Sequence, residues 1–381
     1  MTGPNSGRCT VKLLHTADWQ IGEAFGQFEI DEATLLGAAR IESVKTVAKL
    51  AAERAVDIVV VAGDVFDQQD VQDHIVRRMF DAMGAYAGRW VLIPGNHDAA
   101  KVESVWTRAA KLKCIPQNVI VATKPQTLLF HDLKLALLCA PLVQQNTFED
   151  TTEFFDAEES PEGYCRVGLA HGSMQGVLAE DIDSPNPISS TRAETARLDY
   201  LALGDWHGTK AINARTWYAG THEPDRFKDN DRGNALIVTL GSPGVAPEVE
   251  TVKTGKYTWR RLERVVSQPT DVELLEAELA DCTEAHVVRI AVSGTVDIST
   301  REAIEEVISK LRARSAALRV EIDLTTRPSQ AEIAALGSQG GYVAKVVDRL
   351  NALQSDPSQA KAAADALAAL AQFQKKTKEA A

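Results

Sequence analysis

The chain has 381 residues, 45% of them hydrophobic, which allows one large core plus one or two smaller modules and excludes a single small domain. Its formal net charge of -12 argues against a protein that grips DNA unaided, because phosphate neutralisation by a basic surface supplies most of that affinity. Five cysteines without a CxxC pair argue against a disulfide framework or a structural zinc site, and the absence of a leader-like apolar run or of about 20 consecutive apolar residues makes a cytoplasmic, non-membrane protein the expectation.

From Val11 to Gly220 short apolar runs alternate with segments of helical period, the pattern of a layered α/β sheet. Helices are expected over residues 32–55, 71–86 and 102–112. After His171 the segments AINARTWYAG, GNALIVTLG, EVETVKTG and KYTWRRL are short and joined by Gly or polar turns, and they read as strands that complete the sheet system. A boundary is expected at Ser267-Gln268-Pro269. Beyond it, HVVRIAVSGTVDI, STREAIEEVISKLRARSAAL and RVEIDLTT read as strand, helix and strand, with Ser299 or Thr300 capping the helix. The expected domains are thus 1–266, 267–328 and 329–381, the last helical and interrupted by Gly337, Gly340 and Gly341. Val343, Val346, Val347, Leu350 and Leu353 share one helix face there, and Asp356-Pro357 opens a final Ala-rich helix. Such a hairpin either packs on its own domain or docks a partner helix.

Five apolar runs end in polar clusters: KLLHTADWQ, DIVVVAGD, WVLIPGNHD, CRVGLAHG and LDYLALGDWH. Ligands of open α/β sheets bind at the carboxyl ends of strands, so these endings converge on one site holding carboxylates, amides and imidazoles. Hydrolysis of a phosphoester needs a nucleophile at neutral pH and charge on the oxygens around phosphorus, and two metal ions sharing a bridging carboxylate provide both.

The order GD with Asp67 three residues on, GNHD, His-Gly and GDWH resembles the calcineurin-like metallophosphoesterases. HTADWQ, GDVFD and LDYLALGDWH followed by WYAG resemble more closely the nuclease subunits of bacterial SbcCD complexes, over about the first 260 residues. The resemblance implies a β-sandwich flanked by helices, a small βαβ-type capping module and C-terminal helices that dock an SbcC-like ATPase of the SMC type. It further implies DNA as substrate, a role in DNA repair or end processing, and a homodimer within a heterotetramer whose ATPase shares the DNA contact. Residue by residue, it puts Asp18, Gln20, Asp64 and His207 around a first metal, and Asp64, Asn96, His171 and Asp205 around a second. Asp64 is then the bridge, His97 faces the phosphate and Asp98 orients His97 from behind. Two positions depart from the family pattern: Gln20 stands in a DxH motif and Asp205 in a GHxH motif. Both exchange nitrogen for oxygen, and a set of three carboxylates, two amides and two imidazoles favours Mn²⁺ or Mg²⁺ over zinc. The competing readings are a small-molecule phosphodiesterase or phosphatase and a weakly catalytic metal-binding scaffold.

Among the remaining residues, His15 reads as packing, His74, His131 and His286 as solvated, and His222 as a loop residue. Arg226, Lys228 and Arg232, interspersed with Asp225, Asp229 and Asp231, read as a solvated turn rather than a phosphate contact. Trp19, Trp206 and Trp217 read as wedges that fix the ligand loops. Of Cys9, Cys114, Cys139, Cys165 and Cys282, three lie in or beside apolar stretches and read as buried thiols.

Overall fold

The computed structural model describes residues 10–176, 185–338 and 341–379, so Cys9 and Gly340 lie outside the described residues. The chain divides after Tyr257 into two units. Strands of the first unit are β1 (Val11–Thr16), β2 (Ile58–Ala62), β3 (Arg89–Ile93), β4 (Val119–Val121), β5 (Gln126–Phe130), β6 (Leu135–Ala140), β7 (Cys165–His171), β8 (Ser173–Met174), β9 (Pro187–Ile188), β10 (Tyr200–Gly204), β11 (Lys210–Ala211), β12 (Thr216–Tyr218), β13 (Asn234–Leu240) and β14 (Glu248–Lys253). One sheet has the order β14-β13-β1-β2-β3-β4 and the other β11-β12-β10-β7-β6-β5. Their central members are parallel, and β13, β14, β5 and β11 pair antiparallel.

Central parallel strands are covered on both faces, which is why IVVVA of β2 is apolar throughout and wholly buried. Leu13, Val60 and Val91 of the first sheet pack against Leu137, Val167, Leu169 and Tyr200 of the second, forming the filling of the expected β-sandwich. Helices α1 (Ile30–Glu53), α2 (Asp73–Ala82) and α3 (Val105–Lys111) cover the outer face of the first sheet, where Ile41, Val44 and Val47 of α1 meet Leu14, Val59 and Val61. Each such side chain, fully buried, stabilises by about 1.5–3 kcal/mol. Helix α3 starts three residues later than the pattern suggested because the Ser104 hydroxyl caps it by accepting from Thr107 N. A short helix α4 (Arg192–Thr195) helps cover the outer face of the second sheet through Ala193.

The second unit begins with β15 (Thr258–Val266), followed by α5 (Pro269–Leu279), β16 (His286–Val296), α6 (Ile298–Arg314) and β17 (Ala317–Thr326). KYTWRRL therefore contributes a strand here rather than to the first unit's sheets: β15 runs parallel to β16 from Thr258↔His286 to Val266↔Gly294, upstream of the Ser267 boundary read from the sequence. α5 and α6 are the two crossovers, packed through Leu275, Leu279, Ile304 and Leu311 on Val288, Ile290 and Val292. Neither Ser299 nor Thr300 caps α6. Asp297 does so by accepting from Thr300 N, since its extended backbone is the one that leads into the first turn. Helices α7 (Gln330–Gly337), α8 (Gly341–Leu353) and α9 (Ala360–Glu379) bring Ile333, Leu336, Val347, Leu367 and Ala371 onto Ile298 of α6, so the apolar faces of these helices are packed within their own unit. Tyr342 and Phe373 stay exposed. Cys139, Cys165 and Cys282 are buried. Among the described residues no helix is long and apolar enough to cross a membrane.

Candidate metal centre

Ligand-type residues sit just beyond the carboxyl ends of parallel strands on both sheets: Asp18 after β1, Asp64 after β2, Asn96 after β3, His171 closing β7 and Asp205 after β10. The loops are zipped together by backbone bonds from Asp18 N to Gly63 O (3.1 Å), Gln20 N to Asp64 O (2.9 Å) and Ile21 N to Val65 O (2.9 Å). Asp18, Gln20, Asp64 and Asp205 all adopt positive φ, at 52°, 47°, 51° and 104°. For residues other than Gly this costs on the order of 1 kcal/mol or more each, and it persists only where the surroundings impose it.

The carboxylates of Asp18 and Asp64 and the imidazole of His171 offer ligand atoms that all lie within 4.8 Å of one another, and all three residues are buried. His171 Nδ1 donates to the Ala62 carbonyl at 2.8 Å. Its Nε2 lies 2.8 Å from Asn96 Oδ1, 3.6 Å from Asp64 Oδ1 and 3.8 Å from Asp205 Oδ1. Burial opposes charging this ring, but Asp64, Asp18 and Asp205 outweigh it and raise its pKa to about 9. Burial pushes the Asp18 carboxyl up to about 6 against the pull of His207 and His171, and it also raises Asp205. Asp18 Oδ1 accepts from Asp205 N at 3.0 Å, whereas Asp18 Oδ2 is buried with no hydrogen-bond partner. An orphaned buried carboxylate oxygen costs desolvation free energy that a cation would return, so this donor set fits a divalent metal. Gln20 points its amide N–H at Asp64 Oδ2, 3.0 Å away, and ligation through its oxygen requires that amide to turn over.

His207 Nδ1–H donates to Asp225 Oδ2 at 2.6 Å, which leaves Nε2 as its free nitrogen. Asp225 is fully buried; burial would raise its carboxyl, but His207, Arg40 and Arg232 hold it well below the usual carboxylate range. A carboxylate behind a histidine fixes the ring's tautomer and orientation for metal binding. His97, 40% exposed, donates Nδ1–H to the Asp67 carbonyl at 2.6 Å and keeps Nε2 4.0 Å from Asp64 Oδ2. Burial works against its charged form, but Asp64 and the Asp67 carbonyl prevail and its pKa is raised.

Asp98 does not orient His97 from behind. Its carboxylate accepts Gly95 N at 2.7 Å, Val65 N at 2.9 Å and Phe66 N at 3.1 Å, so it is spent bracing the loops that carry Asp64 and Asn96. The carbonyl of Asp67 holds His97 instead. The solvated-turn reading fails for Asp225 and Arg232, which form a buried ion pair. His222 lies in a loop, as read, but is buried against Trp19 and bonded to Arg40 O at 2.8 Å. Trp19 is a buried wedge, its indole N–H on Thr16 Oγ1 at 2.9 Å. His15 is buried between Tyr200 Oη (2.9 Å) and Leu203 O (3.2 Å), while His74 and His131 are exposed.

Arg40 carries a role that pattern reading did not assign. Its buried guanidinium donates to Trp19 O (2.8 Å), Asp18 O (3.2 Å), Glu223 O (3.0 Å) and Thr221 Oγ1 (3.0 Å), stapling the Asp18 loop to the loop that supplies Asp225. The signal was present: Arg40 falls on the apolar stripe of α1, four residues from both Leu36 and Val44.

Facing sheets whose parallel strand ends gather carboxylates, an amide and imidazoles around an unsatisfied carboxylate oxygen define a metal-dependent phosphoesterase. The chain belongs to the calcineurin-like phosphoesterase family, whose model matches residues 11–241, and is thus a phosphoester hydrolase of a class that uses divalent metals. It is similar to the DNA double-strand break repair protein Mre11 of Methanosarcina mazei, 24% identical over 257 residues, and to that of Methanosarcina acetivorans, 23% identical over 257 residues. Each match covers 65% of this chain and 39% of the relative's length. Among solved structures, TT1561 of Thermus thermophilus aligns with 64% of this chain and 99% of its own, at 12% identity and a TM-score of 0.41.

Proposed function

We propose that the protein is a metal-dependent DNA nuclease that hydrolyses phosphodiester bonds, acting as an SbcD-like subunit with an SbcC-like ATPase. The observation that carries this reading is the buried Asp18, Asp64 and His171 cluster with its orphaned oxygen, together with similarity to proteins named for DNA double-strand break repair. In this reading Asp18, Gln20, Asp64 and His207 hold one ion, and Asp64, Asn96, His171 and Asp205 hold the other. Bound Mn²⁺ ions, or Mg²⁺, supply charge neutralisation and an activated water. The protein's own groups do the rest. His97, anchored at Nδ1 and with its pKa raised by Asp64 and the Asp67 carbonyl against the effect of burial, turns Nε2 toward the centre, where in its protonated form it donates to a phosphate oxygen or leaving group. Asp225 and Ala62 O fix the two ligand imidazoles, and Asp98 and Arg40 hold the loops. A capping role for residues 267–328 and partner docking by residues 329–381 complete the proposal, with exposed Tyr342 and Phe373 as the anchors on the docking segment.

The test offers the Mn²⁺-loaded protein single-stranded DNA, hairpin DNA, cyclic nucleotides and a chromogenic phosphodiester, beside Asp64→Ala. DNA cleavage lost in the variant supports the nuclease. Activity confined to small esters transfers the assignment to a small-molecule phosphodiesterase, and bound metal without turnover leaves a scaffold. Stoichiometric zinc in protein purified without chelator would overturn the choice of metal.

A further inference from the structure

Of the three arginines around the centre, two are committed inside the fold. Arg40 is buried with its donors on backbone carbonyls and the Thr221 hydroxyl, and Arg232, its side chain 5% exposed, is paired with Asp225 and bonded to Asn230. Arg226 is different. Half of its side chain is exposed, at 50%, and its Nη2 donates to Asp225 Oδ2 at 3.1 Å. The same nitrogen lies 3.3 Å from His207 Nδ1. Because that ring nitrogen already donates to Asp225, this approach is proximity rather than a second hydrogen bond. Among the described residues the guanidinium has no other acceptor, so most of its five N–H donors are uncommitted. Its positive charge counts among those that act on the Glu23 and Asp67 carboxyls.

We propose that Arg226 is a substrate-binding residue whose planar fork grips the non-bridging oxygens of the phosphate next to the scissile one. The inference rests on the nuclease reading and deepens it by assigning a residue to the polymeric part of the substrate. Two ions would neutralise the scissile phosphate, whereas its neighbour would meet a rim that carries the half-buried carboxylates of Glu23 and Asp67. On a chain of net charge -12, a local cation has to offset that rim. A guanidinium already tethered by Asp225 is preorganised and loses little freedom on binding, which suits it to bidentate phosphate recognition better than a free lysine. Asp225 then serves two tasks through two oxygens and three partners. It orients the metal-ligand candidate His207 and aims Arg226 beside it.

The test is equilibrium binding of a fluorescein-labelled single-stranded oligonucleotide, followed by anisotropy with Ca²⁺ in place of Mn²⁺ across a salt series. Arg226→Ala is expected to weaken binding by about tenfold to a hundredfold, the range for a charged hydrogen bond. It should also reduce the slope of log affinity against log salt by about 0.7, the loss of one phosphate contact. Arg226→Lys should restore part of the affinity, while Lys228→Ala, which removes the same charge from an exposed neighbour, should change it less than twofold. Mn²⁺ affinity measured by calorimetry should be unchanged in Arg226→Ala, because a residue that merely braces His207 would lower it. Binding left intact in Arg226→Ala, or lost in step with Mn²⁺ affinity, overturns the assignment while the nuclease reading stands. Wild-type protein that binds no oligonucleotide overturns both.

Discussion

Replacing Gly204 by alanine tests how tightly the centre is built. A Cβ on Gly204 would lie 1.9 Å from the Ala62 carbonyl oxygen, 2.8 Å from His171 Nδ1 and 3.0 Å from Ala17 Cβ. Ordinary contact begins near 3.4 Å, so the Ala62 carbonyl must retreat by about 1.5 Å, and it is the acceptor that holds His171. The ring has little room on its other flank, where a Cβ on Gly63 would come within 2.3 Å of the same Nδ1. Overpacking of this kind costs about 1–3 kcal/mol and loss of the hydrogen bond about 1 kcal/mol, so Gly204→Ala should destabilise by about 2–4 kcal/mol. If His171 ligates a metal as proposed, displacing the group that fixes its ring should lower Mn²⁺ affinity by about 10- to 100-fold. Urea denaturation followed by tryptophan fluorescence reads the first number, because Trp19, Trp90, Trp106, Trp206 and Trp217 all lie in the first unit. Isothermal titration with Mn²⁺ reads the second. Gly84→Ala, where an added Cβ meets nothing within 4 Å, is the matched control. Stability within about 0.5 kcal/mol of wild type, with Mn²⁺ affinity within about twofold, would refute the claim that backbone crowding positions His171.

Asp225→Asn keeps the shape but removes the charge that faces Arg232; it should cost about 3 kcal/mol and weaken Mn²⁺ binding about 10- to 100-fold, and unchanged titration curves would show that His207 needs no carboxylate behind it. Asp98→Ala strips the acceptor from three backbone N–H groups at about 1–3 kcal/mol each, so thermal melting should reveal a lowered Tm; full stability with selectively lost catalysis would instead return Asp98 to a role beside His97. Burial lowers the His15 pKa from 6.5 to about 3, with its bond to Leu203 O opposing. The unfolded chain therefore binds a proton that the folded chain refuses, and stability present above pH 6.5 is lost as pH falls toward 3, by about 2 kcal/mol at pH 5. The stability-against-pH slope of wild type between pH 6.5 and 5 should exceed that of His15→Gln by about 1.4 kcal/mol per pH unit, and parallel slopes would disprove a neutral buried His15.

The alternation of apolar runs with helical segments, and the polar clusters that close those runs, are local properties of the chain. A strand followed by a turn positions Asp18, Asp64, Asn96, His171 and Asp205 within a few residues of its own end, so sequence alone determined which side chains reach the crevice. The supports of those residues are not local. Arg40 bonds to a carbonyl 183 residues away, and Asp225 meets a histidine 18 residues earlier from within a stretch whose alternating charges read as solvated. Asp98 shares a motif with His97, yet the turn sends its carboxylate to Gly95, Val65 and Phe66. Strand β15 likewise looks like its predecessors and differs only in its pairing partner. Local propensity and periodicity are written in neighbouring residues, whereas the destination of a buried hydrogen bond or ion pair depends on which distant loop closes over it, and tertiary packing alone decided that.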